Sequence, residues 1–358
     1  MVMSFALPET AGFLGDDVIA EINADPGFGQ YFTDHMALAD WDEQTGWAND
    51  RLVPYAPFNL DPANAVYHYA QEIFEGLKAY KHADGSIWLF RPRCNAVRFM
   101  NSARRMALPE LPEEDFLNSV VNLAKLDARW VPGGDEQSLY LRPFMIANET
   151  FLGVRAAKKV LYCCVASPSG AYFKSGATPV DIWVTKHYSR VASGGTGAAK
   201  CGGNYATSLL AQEVAYQNGC SQVLFTDAAT HTQIEELGGM NFFMLTKDGE
   251  LVTPELNGNV LAGVTRDSVL ALAPSFGLKP VERPVRLAEV YDGLASGAVV
   301  EAFACGTAAV ITPIGSLRDD DGTHEVAEHT TTLELRRRLL DIQYGRAEDV
   351  FGWMQQVC

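Results

Sequence analysis

Positive charge is scarce in this sequence: 28 lysines and arginines stand against 44 aspartates and glutamates, a formal net charge of −16. Such a surface repels phosphate backbones and anionic lipid headgroups, which argues against nucleic-acid and membrane partners. It says little about substrate, because one cationic pocket fits inside an acidic shell. Cysteine is present but unorganised. Cys94, Cys163, Cys164, Cys201, Cys220, Cys305 and Cys358 are odd in number, scattered, and form no Cys-x-x-Cys pair. That is a poor fit to a metal or disulfide framework, so no metal is expected. The cysteines read as small buried hydrophobes in a reducing compartment. Long apolar runs are missing too: the longest, Ala295 to Ile311, is interrupted by Glu301 and too short to span a bilayer. The amino terminus lacks a basic region followed by an apolar run and holds too much acid for a transit peptide, so a cytoplasmic protein is expected.

What is present suits a folded protein. The chain has 358 residues, 47% hydrophobic and 20% charged, enough for a sizeable core and roughly two domains. Residues 1–30 read as an extension ending in the turn ADPGFGQ. YFTDHMALADW and GWANDRLVPY read as antiparallel strands, and AVYHYAQEIFEGLKAY (65–80) as a helical stretch that stops at Gly76. SIWLF follows as a strand, then helices over about 93–106 and 113–129, then strands SLYLRPFMIA (138–147) and KVLYCCVASP (159–168). SPSGAYFKSGATP (167–179) concentrates Ser, Gly and Pro and is the candidate connector. Domains are therefore expected at 1–167 and 179–358, with 168–178 between them. After the connector come the strand VDIWVTK, the glycine-rich loop SGGTGAAKCGGNY (193–205) and a helix over about 205–217. The strands SQVLFT, TQIEEL and NFFML, a helix from Thr265 and a late strand VVEAFAC complete the pattern. Strands and helices mix without βαβ alternation, so the fold class is α+β.

Lys200 sits among small residues in GAAKCGGN. The nearby glycines let backbone approach a ligand, and confinement favours an imine-forming amine. A P-loop is excluded because Ala199 stands where that motif has glycine and Cys201 where it has Ser or Thr. In IEELGGMN, Glu235 and Glu236 point to opposite faces of an extended segment. Either could hold a proton on a pyridine nitrogen, as a pyridoxal phosphate enzyme requires. Gly263, Val264 and Thr265 in AGVTRDS begin a helix, where amides favour an anion, although taken alone the pattern reads first as an ordinary N-cap at Thr265. Thr307 in GTAAV offers a hydroxyl and an amide. Arg98 in NAVRFMNSARR does not stand out unaided, whereas Arg142 lies inside the apolar strand LYLRP and suits a carboxylate.

These residues carry a resemblance. FGQYFTDHM, HYAQEIFEGLKAY, LYLRP, GAYF, GTGAAKCGGNYATSLLAQ, EELGGMN, LVTPELNG, GVTRDS and CGTAAVITP together resemble the branched-chain amino acid aminotransferases, of fold type IV among pyridoxal phosphate enzymes. The resemblance runs from about residue 28 to 315 and keeps the family order. It implies two α/β domains with pyridoxal 5′-phosphate at their interface. Amino groups would pass between branched-chain amino acids and 2-oxoglutarate, in a homodimer acting on small molecules. It implies that Lys200 carries the cofactor as a Schiff base and then moves the proton, that Glu236 rather than Glu235 meets the pyridine nitrogen, and that Tyr205 meets the phenolic oxygen. Arg98, Gly263, Val264, Thr265 and Thr307 would hold the phosphate. Phe28, Phe74, Tyr140 and Tyr172 would wall the side-chain pocket, and Arg142 would accept the glutamate side chain. Ala308 and Ala309 would donate to the α-carboxylate, and Tyr69, Leu152 and Val154 would reach the partner's site. Two departures stand out: Gly239 replaces a threonine of many relatives, and Ala309 and Thr312 replace a Cys-x-x-Cys pair of some animal members. Aminodeoxychorismate lyases and D-amino acid aminotransferases share the fold and are the first alternatives; a binding protein with a dead site is the second.

Overall fold

The computed structural model describes residues 2–8, 13–170 and 177–358, and all structural statements refer to these. The chain divides into two compact units: Met1–Tyr172 with Ala199–Gly202 and Leu340–Cys358, and Phe173–Ala198 with Gly203–Leu339. This division departs from a purely sequential one in assigning the lysine segment and the C-terminal stretch to the first unit.

In the first unit, helix α1 (Asp16–Ala24) precedes strands β1 (His35–Asp42) and β2 (Gly46–Pro54). The short helix α2 (Ala65–Tyr69) follows, then β3 (Glu72–Phe74), β4 (Leu77–Lys81) and β5 (Ile87–Phe90). Helices α3 (Pro92–Arg105) and α4 (Glu113–Leu126) and the long strands β6 (Ser138–Ala147) and β7 (Lys159–Ser169) complete the unit. The strands form an antiparallel sheet in the order β5-β4-β6-β7-β1-β2, with β3 also on β6 and a C-terminal strand, Met354–Gln356, on β5. Acidic Glu113, Glu114 and Asp115 start α4, as suits the positive end of a helix dipole. The two helices bury Phe99 and Phe116 against Tyr162 of β7 (Phe99 to Phe116 5.4 Å, Phe99 to Tyr162 5.9 Å between centroids).

Two expectations fail in this unit. Residues 1–30 contain a helix, α1, and are not a plain extension. The helical stretch within 65–80 does not run to Gly76: α2 stops after Tyr69, where Ala70 turns left-handed at φ 46° and donates its amide back to the Val66 carbonyl. Beyond it Ile73 and Leu77 enter the core, and pairing with β6 outweighs local helix preference. Gly76 marks a close approach instead of a helix stop, since a Cβ there would lie 2.8 Å from Tyr140 Cζ.

The second unit opens with β8 (Val180–Val184), α5 (Gly202–Ala206, its first residue in the first unit) and α6 (Leu209–Gln217). Strands β9 (Gln222–Thr226), β10 (Gln233–Leu237), β11 (Asn241–Thr246) and β12 (Glu250–Thr253) follow, then α7 (Val264–Leu272). Short strands β13 (Lys279–Glu282) and β14 (Val285–Arg286) lead to α8 (Leu287–Ser296), β15 (Val299–Gly306), β16 (Val310–Asp319), β17 (Gly322–Glu325) and α9 (Thr330–Gln343). The sheet is mixed: β8 runs parallel to both β9 and β16, and β12 parallel to β13. Pairing of β10 with β11 at Glu236–Asn241 closes a ring through β15, β16, β8 and β9. The apolar cluster of this unit includes Ile182, Leu224, Leu237, Phe242, Met244 and Ala304. The connector expected at 168–178 falls partly outside the described residues, as does Tyr172. No described helix is long and apolar enough to cross a membrane.

All seven cysteines are free, and all but Cys94 and Cys358 are buried. Burial pushes the Cys163, Cys164, Cys220 and Cys305 thiols upward, as befits inert packing residues.

Candidate active site

In the first unit the site begins with the lysine segment. Ala199 and Cys201 are sunk in the hydrophobic core, which leaves Lys200 between them half-buried. Its backbone is tied on both sides: the Lys200 amide donates to Ser102 Oγ (2.9 Å), and the Phe74 amide donates to the Lys200 carbonyl (2.9 Å). Two residues on, the Gly202 amide donates to the Glu72 carboxylate. Lys200 Nζ stands 4.7 Å from the Phe74 ring centroid. The Arg142 guanidinium also packs on that ring, 4.8 Å from Phe74 and 5.2 Å from the Tyr140 ring, and it donates to the Tyr140 hydroxyl (3.0 Å). Phe28 meets Tyr140 edge-on at 5.0 Å. The structure thus brings Phe28, Phe74, Tyr140, Arg142 and Lys200 together. Arg142 Nε is buried with no hydrogen-bond partner among the described residues, an arrangement that suits an anionic ligand.

Arg98 is held by Glu75 in a bidentate pair, Nε to Oε1 2.7 Å and Nη2 to Oε2 2.8 Å. Asn95 Nδ2 and the Gly76 amide also donate to Glu75, so this fully buried carboxylate is satisfied on both oxygens. Tyr69 donates to the Leu152 carbonyl, and Tyr69, Leu152 and Val154 are exposed in the single chain.

The second unit supplies the other half of the expected set. Glu235 and Glu236 are both buried on β10, and their partners distinguish them. Glu236 pairs with the Arg190 guanidinium and accepts from Asn241 Nδ2 (3.2 Å) and the Leu261 amide (3.2 Å). Glu235 accepts from Asn259 Nδ2 (2.6 Å), and its Oε2 is buried without a partner among the described residues. Burial raises the Glu235 pKa against the Asn259 bond and the Arg190 field. Arg190 also donates to the carbonyls of Asn259 (2.6 Å) and Gly197 (3.3 Å), linking Glu236 to the glycine-rich loop. Gly197 allows this: a Cβ there would fall 2.5 Å from Asn259 Cα and 2.7 Å from its carbonyl carbon. Gly197→Ala is expected to cost about 1–3 kcal/mol of stability, because backbone must move. Denaturant unfolding of the cofactor-free protein measures it, and an unchanged midpoint would count against the tight approach.

Val264 and Thr265, both buried, form the first turn of α7, and no side chain caps it. The N-cap is Gly263, two positions before Thr265, so the ordinary cap expected at Thr265 is not what starts this helix. The first-turn amides of such a helix favour an anion. Thr307, Ala308 and Ala309 form the turn between β15 and β16, where Arg336 donates to the carbonyls of Ala309 (2.8 Å) and Ile311 (3.0 Å). Val310 closes it at φ 62°, an unusual conformation for a β-branched residue and a form of strain common at functional turns. Tyr205 lies on α5, and a Cβ at Gly239 would sit 3.8 Å from its Cε1, in ordinary contact.

Residue patterns alone do not mark Glu72, Glu75, Ser102, Arg190 or Asn259. Each acts through a partner distant in sequence, as Arg190 does through Glu236, so no local signal points to it.

These placements fit amino-group transfer, and the chain belongs to the amino-transferase class IV family, whose model matches residues 72–317, a span that includes Lys200, Glu236 and the start of α7. It is 50% identical over 349 residues, 96% of this chain and 95% of the other, to the branched-chain-amino-acid aminotransferase of Mycolicibacterium smegmatis. Within the class it is therefore one of the branched-chain-amino-acid aminotransferases. The fold agrees: the Escherichia coli branched-chain amino acid aminotransferase matches with TM-score 0.76 at 26% identity, over 91% of this chain and 100% of that one. The Thermobaculum terrenum enzyme, solved in its PLP form, matches with TM-score 0.73 at 24% identity, over 92% and 100%. The fold is type IV.

Proposed function

We propose that this enzyme transfers amino groups between L-leucine, L-isoleucine or L-valine and 2-oxoglutarate, giving branched-chain 2-oxo acids and L-glutamate, with pyridoxal 5′-phosphate on Lys200. The observation that carries this reading is the Arg142 guanidinium, set among Phe28, Phe74 and Tyr140 beside Lys200 with a buried, unpartnered Nε. The residues present fit the cofactor's phosphate, as the start of α7, which no side chain caps, indicates. When bound, the cofactor supplies an electron sink for the carbanion at the substrate's Cα.

This chain's residues then divide the work. Lys200 takes the proton from the substrate Cα as a general base and, as a general acid, would hand it on to C4′ of the cofactor. Glu236, paired with Arg190, holds a proton on the pyridine nitrogen. Tyr205 donates to the phenolic oxygen. The Gly263, Val264 and Thr265 helix start, Thr307 and Arg98 bind the phosphate dianion. Ala308 and Ala309 amides orient the α-carboxylate, with no help from a threonine at Gly239. Aromatic walls bury an aliphatic side chain, worth roughly 1.5–3 kcal/mol, and Arg142 with the Tyr140 hydroxyl receives the glutamate carboxylate that those walls would otherwise exclude.

We further infer a homodimer in which exposed Tyr69, Leu152 and Val154 reach the partner's site, domains at 1–167 and 179–358, and a cytoplasmic location, supported by seven free thiols. The relatives favour this substrate class over those of aminodeoxychorismate lyases and D-amino acid aminotransferases. Conversion of 2-oxoisocaproate with L-glutamate tests it, together with absorption spectra before and after adding L-leucine; no conversion and no spectral change would sink it. Arg142→Ala should lower kcat/KM for glutamate by about 10- to 100-fold while leucine changes little. Equal losses in steady-state kinetics would mean that Arg142 is only structural.

A further inference from the structure

Glu72 has no role in the reaction as proposed, yet it sits beside the lysine segment in the first unit. It lies two residues before Phe74 on β3, and in a strand such residues share a face. Register places Glu72 opposite Ile146 and Phe74 opposite Phe144 on β6, so Arg142 occupies the next position along that face. One Glu72 carboxylate oxygen accepts the Gly202 amide, which seats the side chain against the lysine segment. Burial raises its pKa, while the Gly202 bond and the Arg142 field favour the ionised form.

Arg142 is permanently charged, and its surroundings are mostly aromatic. A guanidinium with no counter-charge would attract a dicarboxylate strongly and make the pocket poor for an aliphatic side chain. A carboxylate on the same face moderates that bias. We propose that Glu72 is a specificity-determining residue: its carboxylate is the counter-charge to Arg142 and sets the balance between dicarboxylate and aliphatic substrates. This rests on the assignment of Arg142 to the glutamate side chain.

The test is a cycle of wild type, Glu72→Gln, Arg142→Ala and the double variant, each loaded with cofactor. Glutamine keeps an acceptor for the Gly202 amide and removes only the charge. The probe is glutarate, which cannot be transaminated, with its Kd measured by calorimetry. Glu72→Gln is expected to bind glutarate about 3- to 10-fold more tightly, the size of a partly screened charge interaction. Its kcat/KM ratio for glutamate over leucine should rise by a similar factor through KM, with absorbance of the lysine-bound cofactor unchanged. With alanine in place of Arg142, the same change should have no effect. Unchanged glutarate affinity in Glu72→Gln overturns the proposal, as does an equal gain with and without Arg142. Loss of the lysine-bound absorbance also overturns it, because Glu72 would then be a backbone clamp only. If Arg142→Ala alone leaves glutarate affinity unchanged, the underlying assignment of Arg142 fails, which the cycle distinguishes from failure of Glu72.

Discussion

Lys200→Ala should yield a folded protein that lacks the absorbance of lysine-bound cofactor and turns over about 10²–10⁴-fold more slowly, the range for losing a positioned proton-transfer group. Folding should survive because the segment is held by other atoms. The backbone bonds to Ser102 and Phe74 do not involve the lysine side chain, and Ala199 and Cys201 remain its buried anchors. The loss of the amine over Phe74 removes a contact worth only about 0.5–1 kcal/mol at a half-exposed site. Stability of the cofactor-free protein should therefore stay within about 1 kcal/mol of wild type. Spectroscopy, single-turnover kinetics with L-leucine and chemical denaturation give the three readouts. Wild-type absorbance in this variant would place the cofactor's anchor elsewhere. A collapse of stability would show that the side chain has a structural duty as well.

Glu236→Gln should have the second-largest effect, and it should differ from Lys200→Ala by affecting both rate and stability. The carboxylate is paired with Arg190 in a buried setting, and removing one charge of such a pair leaves the other uncompensated, at about 3–5 kcal/mol. A glutamine also cannot hold the pyridine nitrogen protonated, so turnover should fall by about 10²–10³-fold while phosphate contacts persist. Glu235→Gln is the control. Glu235 has one unpartnered oxygen and a pKa raised by burial, so a neutral amide is a smaller change there. Its rate should stay within a few-fold of wild type. If the two variants lose activity equally, the roles of the neighbouring glutamates are not separated as their partners indicate.

These two positions differ in how far residue patterns alone make them legible. Lys200 stands out because glycines and small residues surround it, and a P-loop is excluded letter by letter. Strands with clear patterns are legible to their ends, as in β6 at Ser138–Ala147. The helical stretch read within 65–80 as stopping at Gly76 ends already at Tyr69, because pairing with β6, remote in sequence, overrides the helix-forming residues that follow. Glu235 and Glu236 are equivalent by composition, and resemblance alone prefers the second.

The class of chemistry is thus written locally, in residue types and spacings that survive in any conformation. The tertiary structure decides which groups meet. It sinks Ala199 and Cys201 in one core so that Lys200 lies beside Phe74, gives Arg190 to Glu236 and not to Glu235, and sets Glu72 on the face that carries Arg142. The physical reason is that ion pairing, burial and close approach depend on distances between segments remote in sequence. Periodicity and composition report only on near neighbours.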